Sequence, residues 1–172
     1  MKLTIREIAT FGMLGALMYA SKMLMEFMPN VHLIGVFIVA FTLVYRAKAL
    51  YPIYVFVFLT GLFNGFGLWW WPYLYIWLPL WGATMLLPKE MPKYIRPFVY
   101  MAVCSLHGFL YGTLYSIYQS AVFLHFDFEK TIAWIIAGLP WDCVHGIGNL
   151  ILGTLIIPIT KVLKLVEKDK AS

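Results

Sequence analysis

Charged residues in this chain are confined to short gaps between long apolar runs. That arrangement leaves few folds open. In lipid every backbone N–H and C=O must be paired inside the protein, which restricts spanning structures to helices and closed barrels. The runs carry no strict apolar–polar alternation and are long, so they read as helices. They cover roughly residues 3–28, 33–45, 50–66, the aromatic stretch through to 87, 97–123 and 132–165. Hydrophobic residues make up 62% and charged residues 12% of the 172 positions, where a soluble domain carries about 25% charge. The expected fold is an all-α membrane protein: a compact bundle of six transmembrane helices over residues 1–172, in one domain.

The cations orient the bundle. With the N-terminus inside, Lys2, Arg6, Arg46, Lys48, Lys89, Lys93, Arg96, Lys161, Lys164, Lys168 and Lys170 fall in cytoplasmic gaps. Only Lys22 and Lys130 fall outside. Cytoplasmic loops are enriched in Lys and Arg, so both termini are expected in the cytoplasm. The same placement explains the net charge of +5 without any nucleic-acid partner. No cleavable leader is expected, since the first run lacks a small-x-small site before Pro29-Asn30.

Within the first run Gly12, Ala16 and Ala20 recur every four residues. In lipid such a stripe lets a second helix approach closely, from another chain or from this one. The second run is short for a bilayer that needs about 20 helical residues. Trp69, Trp70, Trp71, Tyr73, Tyr75 and Trp77 form the densest aromatic stretch. Trp69 and Trp70 suit an interfacial belt, while Tyr73 and Trp77 are candidates to stack on a flat ligand.

The fifth run places His107, Tyr111, Tyr115 and Gln119 at four-residue intervals, with Gly108 and Gly112 beside them. The sixth is too long for one straight span, and Gly138 and Pro140 are expected to break or kink it. It then presents Asp142, His145 and Asn149 at i, i+3 and i+7, one helical face. Ionisable and amide groups inside an apolar helix are costly in lipid and mark a substrate or ion pathway. Asp142 and His145 could also join His107 or Glu26 around a metal, but two ligands on one helix are too few to assign one. Cys104 and Cys143 lie in apolar runs without CxxC spacing and read as small buried side chains. No P-loop, GxSxG or HExxH occurs.

Six short runs, the Gly12–Ala16–Ala20 stripe, Asp142-Cys143-Val144-His145-Gly146-Ile147-Gly148-Asn149 and Pro158 together resemble the substrate-binding S components of energy-coupling factor transporters. The resemblance covers nearly the whole chain; Gly12 departs from the usual alanine. It implies a multi-pass protein of the bacterial plasma membrane that is not an enzyme. It implies capture of a small water-soluble vitamin in an outer-half pocket, and docking through the first helix on a membrane scaffold (T) subunit. Two cytoplasmic ATPase subunits would use the ATP and Mg, with no cofactor in this chain. The substrate-binding residues expected are Asp142, His145, Asn149, Tyr111, Tyr115, Gln119, Trp77 and Tyr73; those for docking are Gly12, Ala16 and Ala20. Rings with a few polar groups, and no cluster of outer cations, suit a hydroxymethylpyrimidine or pyridoxine-like ring. Another vitamin such as riboflavin, a metal ion, a membrane-embedded enzyme using Asp142 and His145, or a purely structural bundle are the alternatives.

Overall fold

The computed structural model describes residues 3–169; Lys2 and Lys170 of the charge pattern lie outside the described residues. The described chain is helical throughout. The α-helices are α1 (Ile5–Leu24), α2 (Ile34–Tyr45), α3 (Leu50–Asn64), α4 (Leu78–Leu86), α5 (Arg96–Phe109), α6 (Tyr111–Val122), α7 (Phe128–Leu152) and α8 (Ile156–Asp169). Tight 3-10 turns at Arg46–Ala49, Leu68–Leu74 and Gly153–Leu155 link some of them. Three stretches are long and apolar enough to cross a membrane: Ile34–Asn64, Arg96–Val122 and Phe128–Lys168. This is the architecture of an α-helical membrane protein.

Local chemistry sets several boundaries. Thr4 caps α1: its hydroxyl accepts from the Glu7 backbone N–H, and the Glu7 carboxylate accepts from the Thr4 N–H. Asp127 caps α7 by accepting from the Lys130 N–H at 3.0 Å. Gly65, at φ 86, ends α3 in a conformation open to glycine at little cost. Pro79, in the first turn of α4, sits where its missing N–H costs no helical bond.

The core forms around α2. Residues from Ile34 to Thr42 are buried on every side, as befits a helix apolar all round. It packs mainly on α8 and α4. At 12 residues for α2 and 9 for α4, neither reaches the roughly 20 residues of a straight bilayer crossing. Lipid is as apolar as leucine, so burial alone does not hold such helices together; close packing and hydrogen bonds do. The glycines show where. A Cβ on Gly15 would lie 2.5 Å from Val55, and one on Gly108 would lie 2.8 Å from the Gly146 Cα. At these points α1 comes close to α3 and α5 comes close to α7.

Three expectations change. Gly138 and Pro140 do not break the last run: α7 is continuous through both. Proline is tolerated inside apolar helices because neighbouring groups re-satisfy the freed carbonyl. The interruption comes later, at Gly153–Leu155, where a Cβ on Gly153 would stand 3.0 Å from Met101 of α5. The fifth run is instead the bent one: α5 and α6 meet at Leu110. Of the two cysteines, Cys104 is buried but Cys143 is exposed on α7.

Candidate functional site

The chain between α1 and α2 reverses at Asn30, whose φ of 61 is a left-handed conformation that asparagine accepts more readily than most residues. The turn folds His32 back into the bundle. There its ring meets His145 of α7 edge-on, with centroids 4.8 Å apart. His145 also lies 4.8 Å from the ring of Tyr111. Tyr111 in turn lies 5.8 Å from Trp77 and 6.4 Å from Tyr115, the latter stacked. Trp77 packs against Tyr73 at 5.6 Å and His107 at 5.9 Å. Five separate segments thus contribute to one continuous cluster of rings.

The polar side chains are anchored on one side and bare on the other. Because α6 starts afresh after the bend at Leu110, the Gly112 N–H sits among the unpaired donors of a helix start. It donates instead to Asp142 Oδ1 at 2.8 Å. The negative charge faces the positive end of α6, a favourable placement. Glycine leaves room for this contact, since a Cβ would stand 2.6 Å from Asp142 Oδ2 and force the carboxylate to shift. Asn149 donates through Nδ2 to the Cys104 carbonyl at 3.2 Å. His107 Nε2 lies 2.8 Å from the Ile76 carbonyl. A carbonyl only accepts, so Nε2 carries the hydrogen and a neutral His107 presents a lone pair at Nδ1.

Seven buried side-chain atoms have no hydrogen-bond partner among the described residues: His32 Nδ1, Trp77 Nε1, His107 Nδ1, Asp142 Oδ2, both nitrogens of His145 and Asn149 Oδ1. Five of them belong to rings of this cluster, and Asp142 and Asn149 stand on the same face of α7 as His145. Native interiors pair such groups, and each one left bare costs about 1–3 kcal/mol. Trp77, Asp142, His145 and Asn149 are all at most 5% exposed. A cavity of about 280 Å³ has Lys22, Glu26, Asn30, His32, Tyr73 and Tyr111 in its wall, so that of the residues with bare atoms His32 lines it. Two rings of its wall, His32 and Tyr111, are in contact with His145.

His145, Tyr111, Trp77 and Tyr73 therefore come together, with Asp142 and Asn149 on the α7 face that carries His145 and with Tyr115 at the edge, where its hydroxyl donates to the Trp69 carbonyl at 3.2 Å. Gln119 lies two turns along α6 from Tyr111, away from the ring contacts described above. His32 also belongs to the site although no expectation named it, and His107 joins it from the stripe on the fifth run although it is not among the expected substrate-binding residues. The signal for His32 is a Pro29-Asn30 turn immediately before a polar residue that opens an apolar helix. Among the described residues no group of three or more His, Cys, Asp or Glu side chains is placed to hold a metal ion.

The α1 stripe faces away from the bundle. Ala16 and Ala20 are exposed, and a Cβ on Gly12 would meet nothing within 4 Å. The buried face of α1 is the other one, formed by Phe11, Gly15, Met18 and Ser21.

No family model matches the chain, and neither a curated protein nor a solved structure does.

Proposed function

We propose that this chain is the substrate-capturing S component of an ATP-driven vitamin uptake system in the bacterial plasma membrane. The observation that carries the reading is the set of seven bare polar atoms in and beside a cluster of rings that reaches the wall of an open cavity at His32, Tyr73 and Tyr111. A structural bundle gains nothing by keeping such atoms unpaired in lipid, whereas a ligand satisfies them on arrival.

The donor–acceptor balance describes that ligand. His107 Nδ1, Asp142 Oδ2 and Asn149 Oδ1 can only accept, Trp77 Nε1 can only donate, and a neutral His145 offers one of each. A flat heterocycle rich in N–H or O–H donors, such as an amino-substituted hydroxymethylpyrimidine or a pyridoxine-like ring, matches this set. Trp77, Tyr73 and Tyr111 would supply stacking. Lys22 is the one Lys or Arg in the cavity wall and shares it with Glu26, which disfavours a phosphorylated or polyanionic cargo.

Six spans with both termini in the cytoplasm put the cavity on the outer side, where a captured solute enters. The uncovered Gly12–Ala16–Ala20 face suits close docking on a scaffold (T) subunit. Lacking a P-loop, the chain relies on two partner ATPases, which bind the ATP and Mg.

Purified protein in detergent, screened by thermal shift against water-soluble vitamins and their precursors, tests the reading. A ligand at a hundred times its Kd stabilises the folded state by about 2.7 kcal/mol, so the cognate compound should raise the melting temperature clearly. No stabilisation by any of the panel, with no vitamin co-purifying, would refute the reading.

A further inference from the structure

The opposite end of the bundle, where α1 begins, holds a second concavity of about 240 Å³. Four cations line it from four different elements. Arg46 comes from the turn after α2, Lys89 from the α4–α5 connector, Arg96 from the start of α5 and Lys164 from α8. No carboxylate lines the wall. The Lys48–Glu7 and Lys130–Asp127 ion pairs use other cations, and among the described residues none of the four is seen paired with a carboxylate.

Membrane topology accounts for cations at one end of a bundle. It does not account for their convergence on one hollow, because like charges brought together repel. Lys48 shows the alternative: two residues along from Arg46, it is paired with Glu7 of α1. The two arginines are also pre-oriented. Arg46 donates through Nη2 to the Met85 carbonyl at 2.7 Å, and Arg96 through Nε to the Met91 carbonyl at 2.8 Å. Each guanidinium is thereby held in place with its other N–H groups free. Arg46 also keeps a φ of 54, a left-handed conformation that is costly for a long side chain and persists only where its surroundings impose it.

We propose that this concavity binds a phosphate group, carried either on the headgroup of an anionic phospholipid or on a free phosphate anion. The planar forks of Arg46 and Arg96 match phosphate oxygens, and Lys89 and Lys164 add point charges. The site is independent of what the ring-lined cavity takes.

The test uses the intact protein in detergent, with native mass spectrometry and thermal melting as readouts. It is titrated separately with phosphatidylglycerol, phosphatidylcholine and inorganic phosphate. Retention of and stabilisation by phosphatidylglycerol, without phosphatidylcholine, supports a headgroup site. An equal stabilisation by inorganic phosphate alone supports the free anion. No preference for either anion over phosphatidylcholine overturns the proposal. Lys89 and Lys164 are exposed, so the double variant K89Q/K164Q should melt normally without anion while weakening its binding by about tenfold or more. A charge-matched K93Q/K161Q control, whose lysines lie outside the concavity wall, should bind as the unmodified protein does. Equal losses in the two double variants would reduce the effect to general surface charge and overturn the site.

Discussion

His32 and His145 meet edge to face, 4.8 Å between ring centroids, although one lies in the first connector and the other in the penultimate helix. The contact joins the cavity wall to the deepest polar face of α7. Three bare nitrogens come together there, Nδ1 of His32 and both of His145. His32→Phe keeps an aromatic edge in place and removes one bare nitrogen. Melting temperature without ligand should hold or rise, since a buried unpaired polar atom is lost. Ligand affinity should fall by about 1 kcal/mol or more, the value of a hydrogen bond. Lower stability with unchanged affinity, read by melting and calorimetry, would make His32 a packing residue only.

Asp142 and Gly112 offer a paired test. Asp142→Asn keeps an oxygen to accept from the Gly112 N–H, so the fold should survive. Ligand binding should weaken by about 1–3 kcal/mol through loss of a charge-assisted bond. Gly112→Ala places a Cβ 2.6 Å from Asp142 Oδ2; it should displace the carboxylate and lower both stability and affinity. Calorimetry on each folded variant reads the difference, and equal, wild-type affinity in both would remove Asp142 from the site.

The two faces of α1 should respond oppositely. Ala16→Leu and Ala20→Leu lie on the exposed face and should change stability by no more than about 0.5 kcal/mol, while uptake in cells is lost through blocked docking. Gly15→Leu drives side-chain atoms into Val55 and the Pro52 carbonyl and should destabilise the isolated protein by about 1–3 kcal/mol or more. Melting curves beside transport assays separate the cases. Ala16→Leu that unfolds the isolated protein would show an internal role for the stripe.

Single cysteines at positions 127 and 168, in a cysteine-free background, should label from opposite sides of the membrane in intact cells. Six crossings with both termini inside require the α6–α7 turn to face outward and the end of α8 to face the cytoplasm. Labelling of both from one side would exclude that topology.

Much of this molecule follows from short-range chemistry. The apolar runs and their charged gaps dictate helices in lipid, because an i to i−4 ladder satisfies the backbone without water. The capping box at Thr4 and Glu7 starts α1 within one turn. The spacing of Asp142, His145 and Asn149 puts them on one face because a helix repeats every 3.6 residues. None of these depends on a distant residue. The rest is decided between segments. Gly108 meeting Gly146 sets how closely α5 approaches α7, and the bend at Leu110 turns Gly112 toward Asp142. Gly138 and Pro140 stay inside a continuous helix, and the interruption moves to Gly153, where α5 comes close. His32 enters the site only because Asn30 reverses the chain at the point where α7 offers His145. Periodicity along one helix is a local property; which helix stands opposite, at what distance and with which glycine between, is a property of the whole packed bundle.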